Sequence, residues 1–403
     1  RWVISMNDRM YELGNKASVI RELFEYGKKR KKEIGEDNVF DFSIGNPSNP
    51  CPNVVTSSLL ELITTKNPIV LHGYTSSAGD YEVRKKIAEY LNNKYNCNEI
   101  AEKIYLTAGA AAALTISLNA ILNSGDEVIV FAPFFPEYAV FVEKAGGILK
   151  AVNGLDESFQ IDFDRLEVAI TKKTKAILIN FPNNPTGKII TEDELKKLST
   201  ILSTKEKEYQ HNIYLISDEP YRELVYDDIF IPFITNYYEN SIICYSFSKS
   251  LSLPGERIGY LLVSNKAKHG ELLFKAICGA GRALGFVCAP SIFQYLIPFC
   301  LGQTSDLMIY KTNRDILYKN LTEYGYEIVY PNGAFYLFMK ALESSAVSFC
   351  EKAKKYELLL VPSDSFGYDG YVRISYCVET EMIERSLSAF KKLFDEYKLL
   401  RGE

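Results

Sequence analysis

One stretch of the chain, Ser246-Phe-Ser-Lys249-Ser-Leu-Ser-Leu-Pro-Gly-Glu-Arg257-Ile-Gly-Tyr260, places a lysine among hydroxyls and an arginine just past a Pro-Gly break. A lysine amine in its neutral form attacks carbonyls and can afterwards carry protons between carbon atoms. A guanidinium fork beside serine hydroxyls suits a phosphate. The string could therefore hold an aldehyde on an amine while gripping a neighbouring phosphate. The competing reading is a surface turn with a chance lysine.

Other segments bear on the same chemistry. Thr107-Ala-Gly109-Ala110-Ala111 follows the apolar Ile104-Tyr-Leu106 and opens a helical pattern. Small residues there let backbone N–H groups approach an anion, although an alanine-rich helix start is also common packing. Asp218, in Ile216-Ser-Asp-Glu-Pro-Tyr221, is a carboxylate closing an apolar run, a costly place for a charge without a purpose. A helix cap is the alternative. Arg373, in Tyr371-Val-Arg-Ile-Ser375, is an arginine on a short apolar strand and needs a partner. Asn180-Phe-Pro-Asn-Asn184-Pro-Thr-Gly187 reads as a turn or as part of a site. In Pro133-Phe-Phe135-Pro-Glu-Tyr138 an aromatic is available to stack on a flat ligand, while its neighbours Phe134 and Tyr138 could be core.

In this order and spacing, these segments resemble the class I/II aminotransferases, fold-type I enzymes that use pyridoxal 5′-phosphate, from about Gly45 to Arg373. The resemblance implies that Lys249 forms a Schiff base with the cofactor. It implies that Ser246, Ser248, Arg257 and the backbone of Gly109, Ala110 and Ala111 grip the phosphate. Asp218 would keep the pyridine nitrogen protonated, and Tyr221 and Asn184 would bind the phenolic oxygen, with Phe135 stacked on the ring. Lys249, Asp218 and Tyr221 would be the catalytic set. Arg373 would fork the substrate carboxylate opposite Ile44-Gly45-Asn46-Pro47, making Gly45 and Asn184 part of the substrate site. Tyr74, in His72-Gly-Tyr-Thr-Ser-Ser-Ala-Gly79, matches a tyrosine that reaches the phosphate from a neighbouring subunit, which implies a homodimer with shared active sites.

The chain also departs from the family pattern. Ala111 stands where one aspartate-type subgroup has a lysine for the distal carboxylate. Arg282, in Gly279-Ala-Gly-Arg-Ala-Leu-Gly285, lies near where another subgroup has an arginine for that task, and a structural or interface role is the alternative. Aspartate is the expected donor if Arg282 faces the pocket, and an aromatic or other neutral amino acid if it does not. The segments GNPSNP and Pro362-Ser363 also differ from the family's usual ones.

These residues need a scaffold. Glu127–Phe131, Ala176–Ile179, Ile213–Ile216, Ile242–Tyr245 and Tyr260–Val263 read as buried strands, with helical patterns at Ala110–Leu122 and Glu192–Glu208. The alternation predicts an α/β domain, and the chemical motifs fall just after strands, where open parallel sheets bind ligands. With the resemblance, the expectation is a large domain holding a mostly parallel seven-stranded sheet flanked by helices, plus a smaller α+β domain built from both chain ends. The boundaries are expected to give an N-terminal segment 1–60, a large domain 61–294 and a C-terminal domain 295–403. Charged helical sequence at 15–35 and short strands at Tyr326–Tyr330, Ala334–Met339 and Val372–Tyr376 fit that smaller unit.

Composition narrows the function classes. At 403 residues with 47% hydrophobic and 24% charged residues, the chain reads as a folded protein of about two domains. A net charge of -5 gives no basic footprint for nucleic acid, and no apolar run is long enough to span a membrane. Eight scattered cysteines and three histidines show neither metal-ligand spacing nor a disulfide framework, so no metal and a cytoplasmic setting are expected. The leading expectation is transfer of an amino group from an L-amino acid to a 2-oxo acid, both small-molecule partners. A β-eliminating lyase or cyclase with the same cofactor is the alternative. A cofactor-binding DNA regulator is disfavoured, since nothing before Gly45 is basic enough for one.

Overall fold

The computed structural model describes residues 6–15, 18–153 and 158–402. Seven strands form the main sheet: β1 Ile104–Thr107, β2 Glu127–Phe131, β3 Ile148–Val152, β4 Thr174–Asn180, β5 Tyr214–Asp218, β6 Ser241–Ser246 and β7 Gly259–Val263. Their spatial order is β1-β7-β6-β5-β4-β2-β3, and only β7 runs antiparallel to its neighbours. The five strands expected from apolar runs are all present. Their continuous burial is what a parallel sheet covered on both faces demands.

Alternation along β4 shows the two faces. Ile177 and Ile179 join one core, with Leu195, Leu198 and Leu202 of the helix Glu192–Tyr209. Ala176 and Leu178 join the other, with Leu114 and Leu118 of Gly109–Ile121 and with Ile277 of Gly270–Leu284. Helix Glu192–Tyr209 starts with a reciprocal cap between Thr191 and Glu194, which satisfies N–H groups at its first turn.

A second unit carries a four-stranded antiparallel sheet in the order Val361–Pro362, Tyr371–Ser375, Tyr336–Lys340, Ile328–Val329. Its core gathers Leu317, Leu321, Phe390 and Leu393 from two long helices. The N-terminal segment joins it through a short parallel pairing of Phe40–Asp41 with Leu358–Leu359, so both chain ends contribute. The expected boundaries at 60/61 and 294/295 fall inside the helices Asn53–Thr65 and Ser291–Cys300. Both helices bury side chains, Leu62 and Leu296 among them, in a core of the large sheet. We propose that the large unit includes both helices whole.

Candidate active site

The parallel strands β4, β5 and β6 end in Asn180, Asp218 and Ser246, and a cavity of about 380 Å³ opens beyond those ends. Every predicted cofactor and substrate group with a side chain lines it, except Tyr74 and Arg282. The strand ends thus converge the motifs, as expected for an open α/β sheet.

Lys249 lies in the short helix Phe247–Ser250, directly after β6. Its Nζ donates to the Gly45 carbonyl at 2.5 Å and lies 5.5 Å from the centroid of the Phe335 ring. Burial, helped by the guanidiniums of Arg373 and Arg257, lowers its pKa to about 8. The amine is therefore partly neutral near neutral pH, as a nucleophile or proton carrier must be.

Asp218 ends β5, and its Oδ2 accepts from the Tyr138 hydroxyl at 2.6 Å. Its Oδ1 is buried with no hydrogen-bond partner. Burial pushes this carboxyl up to about 7; Glu219 adds to the rise and the Tyr138 bond opposes it. An orphaned carboxylate oxygen costs free energy until a donor meets it. A protonated ring nitrogen in the cavity would be such a donor.

A chain of polar contacts runs from Asp218 to Arg373. Asn180 Nδ2 donates to the Asp218 carbonyl at 2.9 Å, and the Asn184 N–H donates to Asn180 Oδ1 at 2.9 Å. Arg373 donates to Asn184 Oδ1 at 3.1 Å and to the Ser43 carbonyl at 2.6 Å. Its guanidinium lies 4.5 Å above the Tyr336 ring. Arg373 is only 2% exposed, its Nε is unpartnered, and it makes no ion pair among the described residues. A buried cation held by neutral groups is suited to an incoming carboxylate.

Elsewhere in the lining are groups suited to an anion. Helix Gly109–Ile121 begins after Ala108, which has no side chain to cap it, so its first N–H groups keep their donors free of side-chain acceptors. Gly109 has φ +82°, a conformation that strains any other residue, and a Cβ there would lie 2.7 Å from Arg257 Nη2 and displace the end of that fork. Arg257 is exposed to the cleft, and the Ser246 and Ser248 hydroxyls pair at 2.7 Å beside it. Phe135 also lines the cavity, edge-on to Tyr138 with centroids 5.6 Å apart. Phosphate cradle, ring-nitrogen acceptor, amine and flat aromatic together fit pyridoxal phosphate.

Two expected site residues stand elsewhere. Tyr74 is 98% exposed, and Arg282 is exposed on the last turn of Gly270–Leu284; neither lines the cavity of its own chain. Their segments adjoin, since Cys288 donates its N–H to the Ser77 carbonyl at 3.1 Å and its thiol to the Thr75 carbonyl at 3.2 Å. Sequence reasoning missed Tyr336, whose hydroxyl lies 2.8 Å from that of Tyr221, and it left Tyr138 open as core. Asn180 and Ser43 were missed too. Nothing in the sequence singled out Tyr336, which sits in the strand-like run Ala334–Met339.

The family profile described as aminotransferase class I and II matches residues 37–390. The chain belongs to that family. It is 31% identical over 391 residues to the "Probable aspartate aminotransferase" of Methanocaldococcus jannaschii, covering 94% of this chain and 98% of that one. The "Aromatic-amino-acid aminotransferase 2" of Thermococcus litoralis is 28% identical, with 98% and 100% covered. A crystal structure of an amino transferase from Eubacterium rectale shares 53% identity and a TM-score of 0.96, covering 98% of this chain and 100% of that one. The aminotransferase family depends on pyridoxal phosphate and acts on amino acids and 2-oxo acids, so this chain is an enzyme of amino-group transfer. No helix among the described residues is long and apolar enough to cross a membrane, and no group of His, Cys, Asp and Glu among them could hold a metal ion.

Proposed function

We propose that the cavity holds pyridoxal phosphate and exchanges an amino group between an L-amino acid and a 2-oxo acid there. The observation that carries this reading is the orphaned Asp218 Oδ1 in the same cavity as a partly neutral Lys249. Bound pyridoxal phosphate supplies an aldehyde for the amino group and a protonated ring that draws electrons from the reacting carbon. The chain supplies the rest. Asp218 would accept a hydrogen bond from the protonated ring nitrogen and favour that charged form. Arg257, Ser246, Ser248 and the Gly109–Ala111 backbone take the phosphate. Tyr221 and Asn184 donate to the phenolic oxygen, and Phe135 stacks on the ring face. Arg373 binds the α-carboxylate, which directs the Cα hydrogen toward Lys249. The neutral Nζ of Lys249 would be the group that takes the proton from the substrate Cα and holds it for return.

The enzyme is proposed to work as a homodimer in the cytoplasm. Tyr74 and Arg282 lie outside their own cavity, on adjoining segments that also expose Ile69 at 83% and Phe286 and Val287 at 39% each. A second copy covering this face would bury those apolar groups. It would bring Tyr74 to the partner's phosphate and Arg282 to a distal carboxylate, which would make aspartate an accepted donor.

The test mixes holoenzyme with a panel of amino acids, without acceptor, and follows the cofactor's visible absorbance. Donors should shift the spectrum and yield one 2-oxo acid per site, and Lys249→Ala should lose both the native spectrum and turnover. Continuous release of ammonia without acceptor would point to elimination and overturn the transfer reading.

A further inference from the structure

Tyr336 takes part in three contacts that meet at the cavity. It begins the strand Tyr336–Lys340 of the small sheet, while Tyr221 follows β5 of the large one. Their hydroxyls lie 2.8 Å apart and both are buried. Burial pushes Tyr336 up to about 12 and Tyr221 well above its ordinary value, so both hydroxyls keep their protons at working pH. The ring of Tyr336 sits under the Arg373 guanidinium. Its hydroxyl also closes on Gly45, where any Cβ would collide with it, and Gly45 is the residue whose carbonyl receives Lys249.

Within one pair of hydroxyls only one can donate to the other. If Tyr221 is to donate into the cavity, its oxygen must receive from Tyr336, whose hydroxyl has no other partner among the described residues. We infer that Tyr336 is a positioning residue that turns the Tyr221 hydroxyl into a committed donor toward the cavity. Donation into Tyr221 polarises its O–H and strengthens the bond it makes onward. The inference rests on the proposed role of Tyr221 as donor to the cofactor's phenolic oxygen. The same side chain, through its ring, gives Arg373 an apolar face to lie on. The hydroxyl and the ring therefore have separable effects.

The test is a pH titration of the holoenzyme's visible absorbance in wild type, Tyr221→Phe, Tyr336→Phe and the double variant, with kcat and KM measured beside it. Tyr221→Phe removes the donor to an anionic oxygen, so the absorbance midpoint should rise. Tyr336→Phe should raise it by about half a pH unit, less than Tyr221→Phe, because it acts through that residue. The double variant should match Tyr221→Phe alone. The ring remains under Arg373, so KM for the amino donor should stay within about twofold while kcat falls. An unmoved midpoint in Tyr336→Phe, with Tyr221→Phe shifted, would overturn the inference and leave the site reading intact. An additive double variant would overturn it as well. If Tyr221→Phe itself leaves the midpoint in place, the assignment of Tyr221 fails first.

Discussion

Lys249 carries an ordinary lysine amine in an environment that resists its charge. Burial does most of this, and the nearby cations Arg373 and Arg257 add to it, bringing a value of 10.5 down to about 8. At pH 7 about a tenth of such amines are neutral, against roughly three in ten thousand for an unperturbed lysine. The neutral fraction grows as pH rises through about 8 and is lost below it. Trace acylation of the cofactor-free protein, read by peptide mass, should show Lys249 labelling that rises toward pH 8 and then flattens. Replacing Arg373 by Met removes a repelling cation and should move that midpoint upward. Labelling that kept climbing to pH 10 would mean the amine is solvated, and the site's electrostatics would have to be read again. Of these groups, Asp218 and Arg373 were legible in the sequence because each is a charged residue in an apolar run, and Lys249 because it sits among serines with Arg257 just past a Pro-Gly break. Tyr336 was not legible, since a tyrosine on a strand is ordinary and only its contact with Tyr221 across two sheets gives it a role.

At the scale of elements, each motif depends on the end of a strand or the start of a helix. The apolar runs of the parallel strands β2, β4, β5 and β6, and of the antiparallel β7 beside them, were readable because strands covered on both faces are apolar nearly throughout. β3, Ile148–Val152, was not read as a strand: it lies at the sheet edge, is only partly buried, and carries Lys150 at its centre. The Gly109 helix start shows how backbone and side chain combine. Its φ of +82° strains any other residue, by about 1–2 kcal/mol, and a Cβ would press on Arg257. Gly109→Ala should therefore lower the melting temperature and also weaken pyridoxal phosphate binding, by tenfold or more on the order of one lost charge-assisted contact. Gly255→Ala, at a glycine with nothing within 4 Å of its would-be Cβ, is the matched control and should keep the wild-type affinity. Equal affinity in both variants, by absorbance titration of the cofactor-free proteins, would remove the Gly109 helix start from the phosphate site.

For the whole molecule, the division of the fold sets what each sheet contributes to the cavity. The large sheet brings the amine, the Asp218 carboxylate and the proposed phosphate cradle, and the small sheet brings Arg373 and Tyr336. Tyr74 and Arg282 belong to the large unit but face outward, a placement that residue order could not reveal because order along the chain says nothing about which way a surface points. A symmetric dimer would place the same patch of each copy against the other and deliver both residues across the interface. That arrangement makes an unusual prediction for mixtures. Lys249→Ala disables the site of its own chain, whereas Arg282→Ala disables dicarboxylate use in the site of its neighbour. A heterodimer of the two concentrates both defects in one site and leaves the other intact. Unfolded and refolded together in equal amounts, two inactive proteins should recover about a quarter of wild-type aspartate turnover, since half the dimers are mixed and each has one good site. Pure refolded samples of either variant should stay inactive toward aspartate. If the mixture recovers nothing while Arg282→Ala alone is impaired, Arg282 serves its own chain. If Arg282→Ala alone retains full aspartate turnover, the distal carboxylate is held by another group.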